Sequence, residues 1–211
     1  MVCLTTAAFG QVAARRPVVR ASGTGVISAK PDLARLTVGV TTTGVTAEEA
    51  GDRNSQQTTN VIAALRQLLG AAADIRTLNY SLSQLRDRNG QPIGFSVTNS
   101  VQVTSGDLAS VGRMIDVASQ AGATTIGGVS FSLKDSTPAR LQALRMASIQ
   151  AKASAEAIAS GLGLRVGQVN IAEQGTSISG GTAVGNAPTT PIEVGTLDVT
   201  ANVAIEAELS P

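Results

Sequence analysis

The sequence predicts an α+β fold, helices packed on a largely antiparallel sheet. Three observations carry this reading. Asn89-Gly90 separates two alternating apolar runs, a strong short-range hairpin signal. The strand-like runs alternate apolar with Ser or Thr, as half-buried antiparallel strands do, and are not continuously apolar. The element order reads β-β-α-β-β-α-β-α-β-β. Within it, residues 33–133 alone read β-α-β-β-α-β, the split ferredoxin-like arrangement.

Taken in order, residues 18–28 are β-like but broken by glycines. "KPD" at 30–32 follows, with Pro31 preset for a turn. Leu36, Val38 and Val40 then alternate with Arg35, Thr37 and Gly39, a half-buried strand. Thr46 and Glu49 have the spacing of a capping box, which opens a helix to about Leu69, with Gly70 as its C-terminal stop. Its first half, "GDRNSQQTTN", is polar and is expected to face solvent. Ile75, Leu78, Tyr80 and Leu82 form one face of the next strand. Phe95, Val97, Val101 and Val103 form one face of its hairpin partner, interrupted by Asn99.

Asp107 is expected to cap a helix to Ala121 whose buried stripe is Leu108, Val111, Ile115 and Ala118. Val129, Phe131 and Leu133 mark another half-buried strand. Ser136 or Thr137 caps a last helix to about Ser160, with Pro138 in its first turn. The stripe predicted there is Leu141, Leu144, Ala147, Ala151, Ala155 and Ile158. A short strand follows over residues 166–173, then a flexible Gly/Thr/Ser-rich loop over 175–190. Leu197, Val199, Ala201, Val203 and Ile205 alternate in a long closing strand. Residues 1–16 read as a signal-peptide remnant, with a disordered leader or a lipid anchor at Cys3 as alternatives. Residues 17–211 read as a single domain, two small lobes within it being allowed.

Composition narrows the function classes. Sixteen Lys and Arg balance fifteen Asp and Glu, so no general electrostatic grip on nucleic acid is expected. Aromatic residues make up only 2%, which disfavours stacking platforms. There is no His, which removes the usual general base and zinc ligand, and one Cys cannot form an internal disulfide. No segment reaches the length of about 18 apolar residues that a membrane span needs. No cofactor, metal site or catalytic residue is therefore assigned, and the chain is not expected to be an enzyme.

Two motifs have spacings that could suggest a site. Gly23-x-Gly25 lacks the third glycine of a dinucleotide loop, since position 28 is Ser28, and a turn and strand follow instead of a helix. Glycines that permit close backbone contact are the better reading. Lys134 follows Ser130 and Ser132 on one outward strand face, where a lysine base would stay solvated. Among the acids, Asp87 flanks the hairpin tip as a solvated charge, and Glu206 and Glu208 share an outer strand face.

Five stretches in sequence resemble the SIMPL-domain family of bacterial envelope proteins. They are "SGTGVISAKPDLARLTVGV", "DIRTLNYSLSQL" with "IGFSVTNSVQV", "IDVASQAGATTIGGVSFSL", "ALRMASIQAKASAEAIASGLGL" and "IEVGTLDVTANVAIEAEL". The matching motif residues are Gly23, Gly25, Pro31, Asp32, Ala34, Asn99, Gly122, Ala123, Phe131, Ala147 and Ala151, with Ala47, Ala50 and Ala143 beside them. Phe95 departs from the pattern, where many members carry Tyr.

The resemblance implies a periplasmic or envelope-associated protein, with outer-membrane association through Cys3 as an alternative. It further implies assembly into homo-oligomers and, in some members, a link to oxidative-stress tolerance. It transfers no catalytic residue. Strands at the two chain ends and the long polar helix are the expected assembly surfaces. The rival reading is a small-ligand carrier or an enzyme with a pocket near Asn99 and Tyr80.

Overall fold

The computed structural model describes residues 16–71, 73–180, 182–183 and 194–211. The predicted leader lies outside these residues except for Arg16, as do Gly181 and residues 184–190 of the predicted loop. The elements are β1 (Val18–Ala29), β2 (Leu33–Gly44), α1 (Ala47–Leu69), β3 (Asp74–Arg86), β4 (Pro92–Ser105), α2 (Val111–Gln120), β5 (Thr125–Ser132), α3 (Thr137–Gly161), β6 (Arg165–Gly180), β7 (Thr182–Ala183) and β8 (Leu197–Ser210). A single 3-10 turn, Leu108–Ser110, precedes α2. The chain forms two compact units, one of residues 28–138 with 178–198, the other of 1–27, 139–177 and 199–211.

The first unit holds a five-stranded sheet in the order β3-β4-β2-β5-β7. Each of its four neighbouring pairs is antiparallel. Both α crossovers skip one strand, so the segment predicted from residues 33–133 folds as the split arrangement. Leu36, Val38 and Val40 of β2 and Val101 and Val103 of β4 are fully buried with Val61 and Leu65 of α1. Burying each such side chain contributes about 1.5–3 kcal/mol. The α1 entry is built as its sequence dictates. Thr46 accepts the Glu49 N–H at 3.1 Å, and the Glu49 carboxylate accepts the Val45 N–H at 2.9 Å.

Three readings change here. The first half of α1 is not wholly solvent-facing, because Ala50, Asn54 and Thr58 are buried. They continue, at i, i+4 spacing, the stripe that ends in Val61 and Leu65, so a polar sequence still supplies a buried face. In α2 Val111 and Ala118 are buried as expected, but Met114 completes the buried set, while Leu108, in the 3-10 turn that the Asp107 cap opens, and Ile115 are only partly covered. At the hairpin tip, Asp87 is a turn-maker and not merely a solvated charge. Its carboxylate accepts the N–H groups of Asn89 and Gln91 at 2.9 and 2.8 Å.

The second unit is a three-stranded sheet in the order β1-β8-β6, with α3 on one face. Cross-strand pairs of β1 and β8 descend as β1 advances, with Arg16 on Glu208, Arg20 on Glu206 and Thr24 on Asn202, so the two strands run antiparallel. β8 is thus the middle strand and not an edge, which corrects the expectation for the C-terminal end. The predicted 175–190 loop is strand as far as Gly180, because β6 hydrogen-bonds to β8 and the ladder orders a stretch with little pattern of its own. The α3 stripe also differs from the expected one. Ala143, Ala147, Ala151, Ala155 and Ala159 are buried, whereas Leu141 and Ile158 are exposed. The helix lies too close to β1 for any larger residue.

Candidate functional site

The motif residues settle into packing roles. A methyl group placed on Gly23 would overlap the Ala147 carbonyl oxygen and the Ala151 nitrogen. One placed on Gly25 would overlap the Ala143 carbonyl oxygen and sit 2.8 Å from the Ala147 nitrogen. Gly23, Gly25, Ala147 and Ala151 therefore form one contact, a helix laid directly on strand backbone. Asp32, after the Pro31 turn, accepts the Lys134 N–H at 2.6 Å and ties the start of β2 to the end of β5. Next to it, Ala34 is fully buried, and Phe131 and Ala123 join the same core. Gly122 has φ +106°, a conformation that disfavours any side chain, and its carbonyl accepts the Gln57 side-chain N–H at 2.6 Å.

Asn99 sits on β4 between Val97 and Val101, opposite Val40 on one side and Tyr80 on the other. Its side-chain oxygen is buried with no partner among the described residues. From α1, Asn54 donates to the carbonyls of Val40 and Val97 at 2.9 and 3.1 Å, and Thr42 of β2 donates to the Ala50 carbonyl at 2.8 Å. These groups clamp α1 to the sheet. Tyr80 stands outside the clamp.

Two surfaces remain that packing does not use. The first is β3, an edge strand of 13 residues, exposed at nearly every position. Leu78, Tyr80 and Leu82 are 54%, 56% and 46% exposed. A β-bulge between Thr77 and Asn79 slips the register by one. Ile75, Tyr80 and Leu82 therefore stand opposite Val103, Asn99 and Val97, on the face that carries α1. α1 covers β2 and β4 and reaches β3 only at Ile75, which packs against the core, and beside the Tyr80 hydroxyl, so most of the strand stays exposed.

The second surface is an open groove of about 510 Å³ lined by Thr41–Thr43, Arg53, Gln56, Gln57 and Asn60. It exists because β5 begins opposite Gly39, while β2 runs on to Gly44. Its lining is polar, and neither Asn99 nor Tyr80 belongs to it, so the pocket expected near those two residues is not where the groove lies. Arg53 is paired with Glu49 at 2.5 Å and donates to the Thr43 carbonyl at 3.3 Å. Glu206 and Glu208 are likewise paired, with Arg20 at 2.7 Å and Arg16 at 2.8 Å. The Arg16 guanidinium is held above its ordinary pKa by the hydrogen bond to Glu208 and by its charge. Asp135 is held below the usual carboxylate range by the Thr137 N–H, which it accepts at 2.8 Å. That makes Asp135, not Ser136 or Thr137, the side chain that receives the first free N–H of α3. Among the described residues no three of His, Cys, Asp and Glu come together, and no helix is long and apolar enough to cross a membrane.

Comparison with known proteins bears on the same residues. The SIMPL profile, described as a protein of unknown function (DUF541), matches residues 19–207. The chain belongs to the SIMPL family. It is 27% identical over 159 residues to the 26 kDa periplasmic immunogenic protein of Brucella melitensis, covering 72% of this chain and 64% of that protein. It is 29% identical over 157 residues to the uncharacterized protein YggE of Edwardsiella ictaluri, covering 72% of this chain and 66% of that one. The match to these SIMPL relatives thus spans slightly less than two thirds of their length.

The SIMPL motif residues are dispersed through both units, in cores and turns, and none lines the polar groove. Sequence reasoning missed the groove residues and the Asn54 clamp. The i, i+4 series Ala50, Asn54, Thr58 was the available signal for the clamp. For the groove no signal existed, since it arises from where β5 stops.

Proposed function

We propose that this SIMPL chain is a periplasmic, non-enzymatic protein that works by assembling with copies of itself and by binding, in upkeep of the envelope or tolerance of oxidative stress. The bare β3 edge carries this reading. A long edge strand with apolar side chains is a template for another chain, and monomeric proteins blunt such edges with charge, proline or a covering element. The name of the Brucella relative supports the compartment. Light scattering coupled to size exclusion tests assembly. The expected mass is a multiple of one chain, reduced by Leu82→Asp. A single-chain mass at all micromolar concentrations would remove the proposal.

A second reading rests on the groove at Thr41–Thr43, a carrier site for a small polar molecule. A thermal-shift screen of polar metabolites, repeated on Gln56→Ala with Asn60→Ala, tests it. Stabilisation of the parent alone supports a carrier. No shift in either protein discards it.

A further inference from the structure

We infer that the polar groove beside β2 is a peptide site, which takes a short extended peptide running parallel to β2 and holds it through its main chain. Such a ligand is one class of the small polar molecules that the carrier reading of the groove allows, and it rests on that reading. The observation is an open length of β-ladder. β5 pairs with β2 only as far as Gly39, and β2 continues to Gly44. Along an extended strand the main-chain groups of alternate residues point to opposite edges. The Gly39 carbonyl accepts the Thr124 N–H at 2.9 Å, so Thr41 and Thr43 point the same way, into the groove. Part of that edge is occupied. The Thr41 N–H donates to the Thr124 hydroxyl at 2.8 Å, and the Thr43 carbonyl accepts from Arg53 at 3.3 Å. The Thr41 carbonyl and the Thr43 N–H between them have no hydrogen-bond partner among the described residues.

That open pair selects the ligand. One residue of a parallel strand, lying opposite Thr42, donates its N–H to the Thr41 carbonyl and accepts the Thr43 N–H at its own carbonyl. Both groups are then satisfied at once. An antiparallel strand would also need the Thr41 N–H and the Thr43 carbonyl, which Thr124 and Arg53 already hold. The Thr124 hydroxyl bridges Thr41 and Gly39 and closes that end of the notch. The ligand's N-terminal end therefore stops at the 122–124 turn, and its C-terminal end runs out past Thr43. Gln56 and Asn60 of α1 line the same groove and offer amide groups to the neighbouring peptide units. The groove volume, about 510 Å³, is within the range of small-ligand sites. No aromatic side chain lines it, so a stacked ring has no platform there. A strand added to an exposed edge takes its affinity from main-chain hydrogen bonds, which is what the notch supplies.

Amide resonances of the isotope-labelled full chain report on the notch without altering it. Acetyl-trialanine dimethylamide, added to about 10 mM, well above a dissociation constant of about 1 mM, should shift the Thr43 N–H and its groove neighbours. The same peptide methylated on every alanine nitrogen has no N–H for the Thr41 carbonyl and should leave them unmoved. A nitroxide on the N-terminal end of the peptide should broaden Ala123 and Thr124, and one on the C-terminal end should broaden Gly44 and Val45. Equal shifts from the methylated peptide, or the reverse pattern of broadening, would overturn parallel main-chain pairing. Glucose that shifts Thr43 where the peptide does not would overturn the peptide ligand and leave the carrier reading standing. A Thr43 signal that neither compound moves would also overturn the peptide ligand, and the screen of polar metabolites then decides the carrier reading on its own.

Discussion

Replacing Gly23 with alanine should lower stability by about 3 kcal/mol, the upper part of the range for an overpacked core. The added methyl meets the Ala147 carbonyl oxygen and the Ala151 nitrogen well inside contact, and the Gln150 carbonyl carbon at 2.9 Å. Non-bonded carbon atoms sit at about 3.5–4.0 Å. All three obstacles are main-chain atoms of α3, so no rotamer change relieves the clash and the helix must lift from β1. Lifting it also loosens the contacts of Ala143 and Ala155 on either side. For a chain of this size, 1 kcal/mol shifts the melting temperature by about 2–4 °C, so a drop of roughly 6–12 °C is expected. Far-UV circular dichroism during heating measures it. Gly175→Ala is the control, because a methyl there meets nothing within 4 Å. It should be neutral, or stabilising by about 0.4–1 kcal/mol through the unfolded chain. If Gly23→Ala melts with Gly175→Ala, close backbone contact is not why the glycine is there.

Other outcomes follow from the same contacts. Asn54→Ala strips the partner from the buried carbonyls of Val40 and Val97 and should cost about 1–3 kcal/mol in urea unfolding. Asp32→Ala releases the Lys134 N–H and should cost about 1 kcal/mol by the same measurement. The Asp135 carboxyl has a folded pKa below its unfolded one, so its stabilising share is complete above about pH 4 and is lost as pH falls through the folded value. Asp135→Ala should therefore destabilise at neutral pH and flatten the acid limb of a stability-versus-pH curve. Tyr80→Asp, at an exposed position, should leave the melting temperature of the separate chain unchanged while reducing the assembled mass.

Much of the fold could be read in the residues. The hairpin followed from Asn89-Gly90, the α1 start from Thr46 and Glu49, and β2 and β8 from strict alternation. The α3 stripe is only half legible, Ala147, Ala151 and Ala155 being buried as expected, because periodicity favours leucine where Ala143 and Ala159 are buried instead. The glycines at 23 and 25, which force alanine there, lie more than 110 residues away in sequence. β6 was cut short because its order comes from the β8 ladder and not from its own pattern. The Asn54 clamp was hidden by polarity. For the site, the exposed face of β3 was visible as Leu78, Tyr80 and Leu82. That the face stays bare was not, since it depends on how far α1 reaches across the sheet.

The central claim is that this chain acts through the β3 edge by assembling with copies of itself. Light scattering on the native protein, across micromolar concentrations, tests it most directly. The account predicts a mass that is a multiple of the 21.3 kDa chain and that falls on Tyr80→Asp. A constant mass of one chain, or an assembled mass that Tyr80→Asp leaves untouched, would contradict it.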